Sequence, residues 1–201
     1  MANDTNTNHT ERMMGTTNDR ASLIKFINSR LPMVEYDLTK NGGTDCIASS
    51  FFYLLINDEY VKYEPFVSQG AFEYAKEKYG KHAYKIFDTR RNGIVKLEKA
   101  AGLLTRNISS SMLMSEHVVA GGMFKATLIE EFKRSAVGRE DRVADWIIEN
   151  TQTAWVLRTE DEKLTAKGFK SKRGKTLGDA LGKYKECEIF LLNRHGNIVN
   201  K

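Results

Sequence analysis

Cysteine and proline are both scarce, with two of each in 201 residues. Cys46 and Cys187 are too few and too distant for a disulfide framework, and neither belongs to a close pair with metal-ligand spacing, so no metal site and no cofactor are expected. A reducing location, cytoplasmic or virion-associated, fits that usage. Both prolines, Pro32 and Pro65, lie in the first third of the chain, so nothing after Pro65 bars helix formation. Long apolar runs are missing too: none approaches the ~20 residues that cross a bilayer. The first twenty residues have neither the cationic start nor the apolar stretch of a secretory signal, which argues against a membrane or secretory role.

What is present is an ordinary globular balance, 41% hydrophobic and 28% charged, enough for a core without staples. Three regions are expected. Residues 1–20 are rich in Asn, Thr and Asp, and their composition predicts a mobile arm unless an assembly partner, such as another copy in a homo-oligomer, orders it.

Residues 21–150 read as a helical body of about six helices. One starts at Ala21 and is closed by Pro32. A second covers Asp45–Leu55, and a third is capped by Ser68 and carries Phe72, Ala75, Tyr79, Ala83 and Ile86 on one face. Val95–Leu104, a long segment from Ser115 to Ser135 weakened at Gly121 and Gly122, and Arg142–Glu149 complete the set.

Residues 151–201 change period and read as a small basic α+β element packed on that body. It comprises a strand at TAWVLR, a basic loop, a short helix capped by Thr176, and a β-hairpin turning at Asn193–Gly196. The fold class is thus mainly α with a small C-terminal α+β element.

Charge is distributed unevenly. Lys163–Glu186 holds seven lysines and Arg173 against Asp179 and Glu186, a local +6 in a chain that nets +5, so the remainder is close to neutral. Dense local charge of one sign is what attraction to a polyanion requires. Within it, KGFKSKRGK offers Lys167, Lys170, Lys172, Arg173 and Lys175 for phosphates and Phe169 for stacking on a base, the usual equipment for binding RNA or DNA. The expectation is a non-enzymatic nucleic-acid or polyanion binder, of the kind that serves as a viral or phage-type structural protein.

Two other outlines in the sequence fail on spacing or charge. Gly168 and Gly174-Lys175-Thr176 approach a phosphate-binding loop, but five residues separate the glycines where the motif has four. Asp88–Lys99 traces an EF-hand loop with Arg90 and Lys99 at ligand positions, which would repel calcium.

The enzymatic alternative rests on GGTDCIASSFFYLL, where Cys46 falls at a predicted helix start that lowers a thiol's pKa. Gly43, Asp45 and Cys46, with an aromatic helix behind them, resemble the Gly-x-Asp-Cys-Ser-Gly helix start of the NlpC-type cysteine peptidases, although Ile47 and Ala48 stand in place of the serine and second glycine. That resemblance implies a papain-like hydrolase with Cys46 as nucleophile. Its base would be His117, because His82 lies in an amphipathic helix and His195 in a tight turn. The family's histidine opens a buried strand, whereas the sequence after His117 reads as helix.

Overall fold

A computed structural model of the protein describes residues 17–41, 65–80 and 112–201. The chain divides into two compact units, Met1–Lys62 with Lys125–Asn150 and Tyr63–Phe124 with Thr151–Lys201.

The first unit is helical. Helix α1 spans Thr17–Asn41 and buries Leu23, Ile27 and Val34, whose spacings of four and seven place them on one stripe. It packs on α4, Arg139–Asn150, which buries Val143, Ala144, Ile147 and Ile148. At the solvent margin of that contact Arg20 donates from Nε to Asp145 Oδ1 at 2.7 Å and from Nη2 to Asp141 Oδ1 at 2.9 Å.

Pro32 does not close α1, contrary to the sequence expectation; the helix runs through it to Asn41. Proline removes only the bond to the carbonyl four residues earlier, here that of Asn28, and both Asn28 and Pro32 are exposed, so water can satisfy that oxygen.

The second unit is built on a four-stranded sheet of order β2-β3-β1-β4. Strands β1 (Phe66–Ser68) and β3 (Thr153–Leu157) are parallel, with Phe66 opposite Ala154. Strand β2 (Leu113–His117) pairs antiparallel with β3 from Leu113↔Leu157 to His117↔Thr153, and β4 (Leu191–Leu192) pairs antiparallel with β1. Helix α2 (Gln69–Tyr79) lays Ala71 and Ala75 on Leu113 and Trp155, with Phe72 and Tyr79 at the margin of that cluster. Ala154, Trp155 and Val156 are buried in succession, the signature of a central strand covered on both faces rather than the alternation expected for TAWVLR.

Both parallel strands run straight into helices, β1 into α2 and β3 into α5 (Arg158–Ala166). Ser68 caps α2 by accepting the Ala71 N–H at 3.0 Å, as its position in the sequence predicts, and its hydroxyl donates to Glu160 Oε2. Glu160 Oε2 also accepts the Leu157 N–H at 2.8 Å, so one carboxylate ties both strand-to-helix junctions together. A Cβ on Gly70 would lie 2.6 Å from Glu160 Oε1, so a larger residue there would have to shift that carboxylate.

Thr176 caps α6 (Leu177–Glu186) in a reciprocal box with Asp179, also as expected. The C-terminal turn follows the predicted position: Asn193 Oδ1 accepts the N–H groups of His195 and Asn197, Gly196 takes φ +77°, and Leu192 bridges to Ile198.

The sheet draws strands from the middle of the chain as well as its end, so the molecule is mainly helical with a small mixed sheet but not an all-helical body followed by a separate β element. The clearest correction is Ser115–Ser135. Ser115–His117 belongs to β2, and Gly121 and Gly122 open a helix, α3 (Gly121–Arg134), instead of weakening the middle of one. The predicted helices at Asp45–Leu55 and Val95–Leu104, the stripe residues Ala83 and Ile86, and the Asp88–Lys99 loop lie outside the described residues. Among the described residues no helix is long and apolar enough to cross a membrane.

Candidate functional site

The basic segment begins inside a helix: Lys163 lies in α5, and the chain leaves that helix through Gly168 at φ +75°, with the Phe169 N–H returned to Leu164 O at 2.8 Å. Lys167 is exposed and its Nζ donates to the Glu186 carbonyl. Phe169 is half-buried with Lys183 Nζ over its ring, 4.8 Å from the centroid, so a stacking base would have to displace that lysine. Lys170, its side chain 61% exposed, pairs with Asp161 Oδ2 at 3.1 Å. Lys172 and Lys175 are exposed.

Arg173 differs from the rest. It is 4% exposed and donates from Nε to Val118 O at 3.1 Å, from Nη2 to His117 O at 2.8 Å and from Nη1 to Glu116 Oε2 at 3.0 Å. Its guanidinium also lies 5.4 Å from the centre of the Tyr184 ring. A buried guanidinium needs this many acceptors, because its charge has been removed from water. Gly174 makes the turn that follows, at φ +114°, and a Cβ there would come 2.3 Å from Asp179 Cβ. The loop is therefore anchored through its centre by Arg173.

Around Arg173 sits a carboxyl pair that no sequence feature marks. Burial, then the hydrogen bond to Asp161, pushes Glu116 up to about 7, against the pull of Arg173. Burial works against charge on Asp161 as well, yet the hydrogen bonds from Glu116 and Lys170 hold it below its ordinary value. The pair favours one proton, held on Glu116, as pH falls below about 7. Asp161 Oδ1 is buried beside it with no other donor. Tyr184 adds a long hydrogen bond from its hydroxyl to Glu116 Oε2 at 3.4 Å, and burial raises its own pKa.

A pocket of about 190 Å³ opens beside this cluster. Glu116 and His117 line it from the end of β2, Gly121 and Gly122 from the first turn of α3, and Lys170 and Arg173 from the basic loop. Burial, then the charge of Arg173, lowers the His117 pKa, so the ring is neutral at physiological pH. His117 closes β2, and a short turn into α3 follows, so it does not open a strand as the histidine of the NlpC-type peptidases does. Cys46, the nucleophile of that alternative, lies outside the described residues. Among the described residues no group of His, Cys, Asp and Glu has the arrangement of a metal site.

Of the residues singled out in the sequence, the fold brings Lys170, Arg173 and His117 to one pocket and leaves Lys167, Lys172 and Lys175 on the surface. Glu116, Asp161 and Tyr184 were missed. Their neighbours in sequence, SEH, TEDEK and GKYKE, are themselves polar, so no local signal marks them. No known protein family matches this chain, and no curated protein or solved structure does either.

Proposed function

We propose that the protein binds nucleic acid, or a polyanion of similar charge density, without catalysing a reaction. What supports this reading is one observation: Lys163, Lys167, Lys170, Lys172, Lys175 and Lys185 are all exposed within a segment of 24 residues spanning α5, the loop and α6. Lysines held by ordered helices and an anchored loop keep their spacing, so counterion release on binding is not offset by ordering a floppy tail. Arg173 contributes by holding the loop and Phe169 by packing under Lys183. Packing of nucleic acid in a virion-type assembly, with the polar N-terminal arm, is the setting this equipment suits.

The test is binding of a fluorescent single-stranded oligonucleotide over a salt series. If about four lysines neutralise phosphates, log affinity falls with log salt at a slope of roughly −3. A flat response, or no binding at low salt, defeats the proposal.

A further inference from the structure

The geometry points to the pocket between the end of β2, the first turn of α3 and the basic loop as a seat for the terminal phosphate of a nucleic-acid strand. This deepens the polyanion reading and rests on it: the exposed lysines hold the strand, and the pocket takes its end.

Size comes first. At about 190 Å³ the pocket is smaller than the roughly 300 Å³ at which sites for drug-sized ligands begin, so it suits one compact group. Its charge selects the group. Lys170 and the buried Arg173 line the pocket with two cations, and the first turn of α3 carries no acidic residue. N–H groups in a helix's first turn have no partner within the helix and carry the positive end of its dipole.

The negative groups nearby are Glu116 and Asp161, and with the Glu116 pKa raised to about 7 the pair carries less than its full two charges at neutral pH. Tyr184, bonded to Glu116, and His117, which lines the pocket, are both neutral there. Two cations and a helix start against this reduced negative charge favour a group of charge near −2 with several acceptor oxygens. A terminal phosphate monoester has that charge and three such oxygens, whereas a diester within the strand has one charge and two free oxygens.

A Cβ at Gly122 would meet no protein atom within 4 Å, so the backbone at the start of α3 is open to the pocket it lines. Lys170 has freedom to take part, because its side chain is 61% exposed while it rests on Asp161.

The experiment compares one single-stranded sequence in three forms, with a 5′-phosphate, with a 3′-phosphate and with hydroxyls at both ends, against the full chain at fixed salt. A phosphate at the preferred end is expected to tighten binding about tenfold, the effect of one charge-assisted hydrogen bond. Gly122→Leu, whose side chain would extend into the pocket, should bring that preference to about one and leave affinity for the hydroxyl strand unchanged; its melting curve checks the fold. Lys170→Gln, an exposed substitution, should weaken the phosphorylated strand more than the hydroxyl strand.

Equal affinity of the wild type for all three strands overturns the terminal-phosphate inference while leaving surface binding intact. A preference that survives Gly122→Leu in a folded protein also overturns it. No binding of any strand at low salt removes the polyanion reading and this inference together.

Discussion

Two arginines, one in each unit, join distant parts of the chain to carboxylates by short hydrogen bonds, and they teach opposite lessons. Arg20 reaches Asp145 and Asp141 across more than a hundred residues, but its side chain is 41% exposed and water competes for every partner. Arg173 reaches Glu116 over a shorter stretch of sequence and is almost wholly buried, with two carbonyls besides the carboxylate. The contacts look alike on paper. Solvent makes the first a weak tether and the second a point on which the local fold depends.

The strongest way to break that contrast is Arg173→Met. Removing one partner of a buried pair costs about 3–5 kcal/mol, and here it also leaves the carbonyls of His117 and Val118 without a donor. Denaturant unfolding should show the loss, and the loss should be smaller below pH 7, where Glu116 is neutral and needs no counter-charge. A change under 1 kcal/mol would mean that Arg173 is no more important than a surface residue.

Gly174→Ala sharpens the same point from the backbone. It combines a φ of +114° with a Cβ driven against Asp179, so a loss of about 2–3 kcal/mol is expected by thermal melting, with weaker anchoring of the whole basic loop.

The shared proton predicts a pH profile. Glu116 has a folded pKa of about 7 against an ordinary 4.5, so the folded state holds the extra proton between those values. The stability it contributes is complete below about pH 4.5, declines as pH rises through about 7 and is gone above it. A fall of about 3 kcal/mol over that interval is expected, at about 1.36 kcal/mol per pH unit. Asp161, with its folded pKa lowered, works in the opposite sense and loses its contribution as pH falls below its ordinary 3.8. Glu116→Gln keeps a donor for Asp161 but cannot release a proton, and should flatten the decline between pH 4.5 and 7. An unchanged slope in that variant would assign the titration to another group.

Arg20→Ala is the smallest effect. Between 0 and 1 kcal/mol is expected, shrinking further in high salt, because both of its carboxylate partners are half-exposed or more.

The sequence was most legible where one residue determines a local geometry. Ser68 and Thr176 are caps whose chemistry is local, and the turn at Asn193–Gly196 is likewise set by its own side chains, so all three were readable. Ser115–His117 was misread because an edge strand of five residues owes its state to pairing with β3 forty residues later, which no local periodicity reports. Arg173 shows the same limit at the site. In the sequence it is one cation among several, and only the approach of β2 to the loop after α5 makes it the buried one. The carboxyl pair was invisible for the same reason, because Glu116 and Asp161 belong to elements that meet only in the folded unit.

The Glu160 junction has a consequence for where recognition can occur. In open sheets, ligands usually enter beyond the C-terminal ends of parallel strands, where helix starts converge. At that end of β1 and β3 the protein supplies its own anion: Glu160 occupies the mouth, held by Ser68 and by the amide of Leu157. Strand β2 runs the other way, so His117 and the start of α3 fall at the Thr153 end of β3, opposite Glu160. The two ends of the sheet thus differ in charge: Glu160 fills the first, and Lys170 and Arg173 stand beside Glu116 at the second.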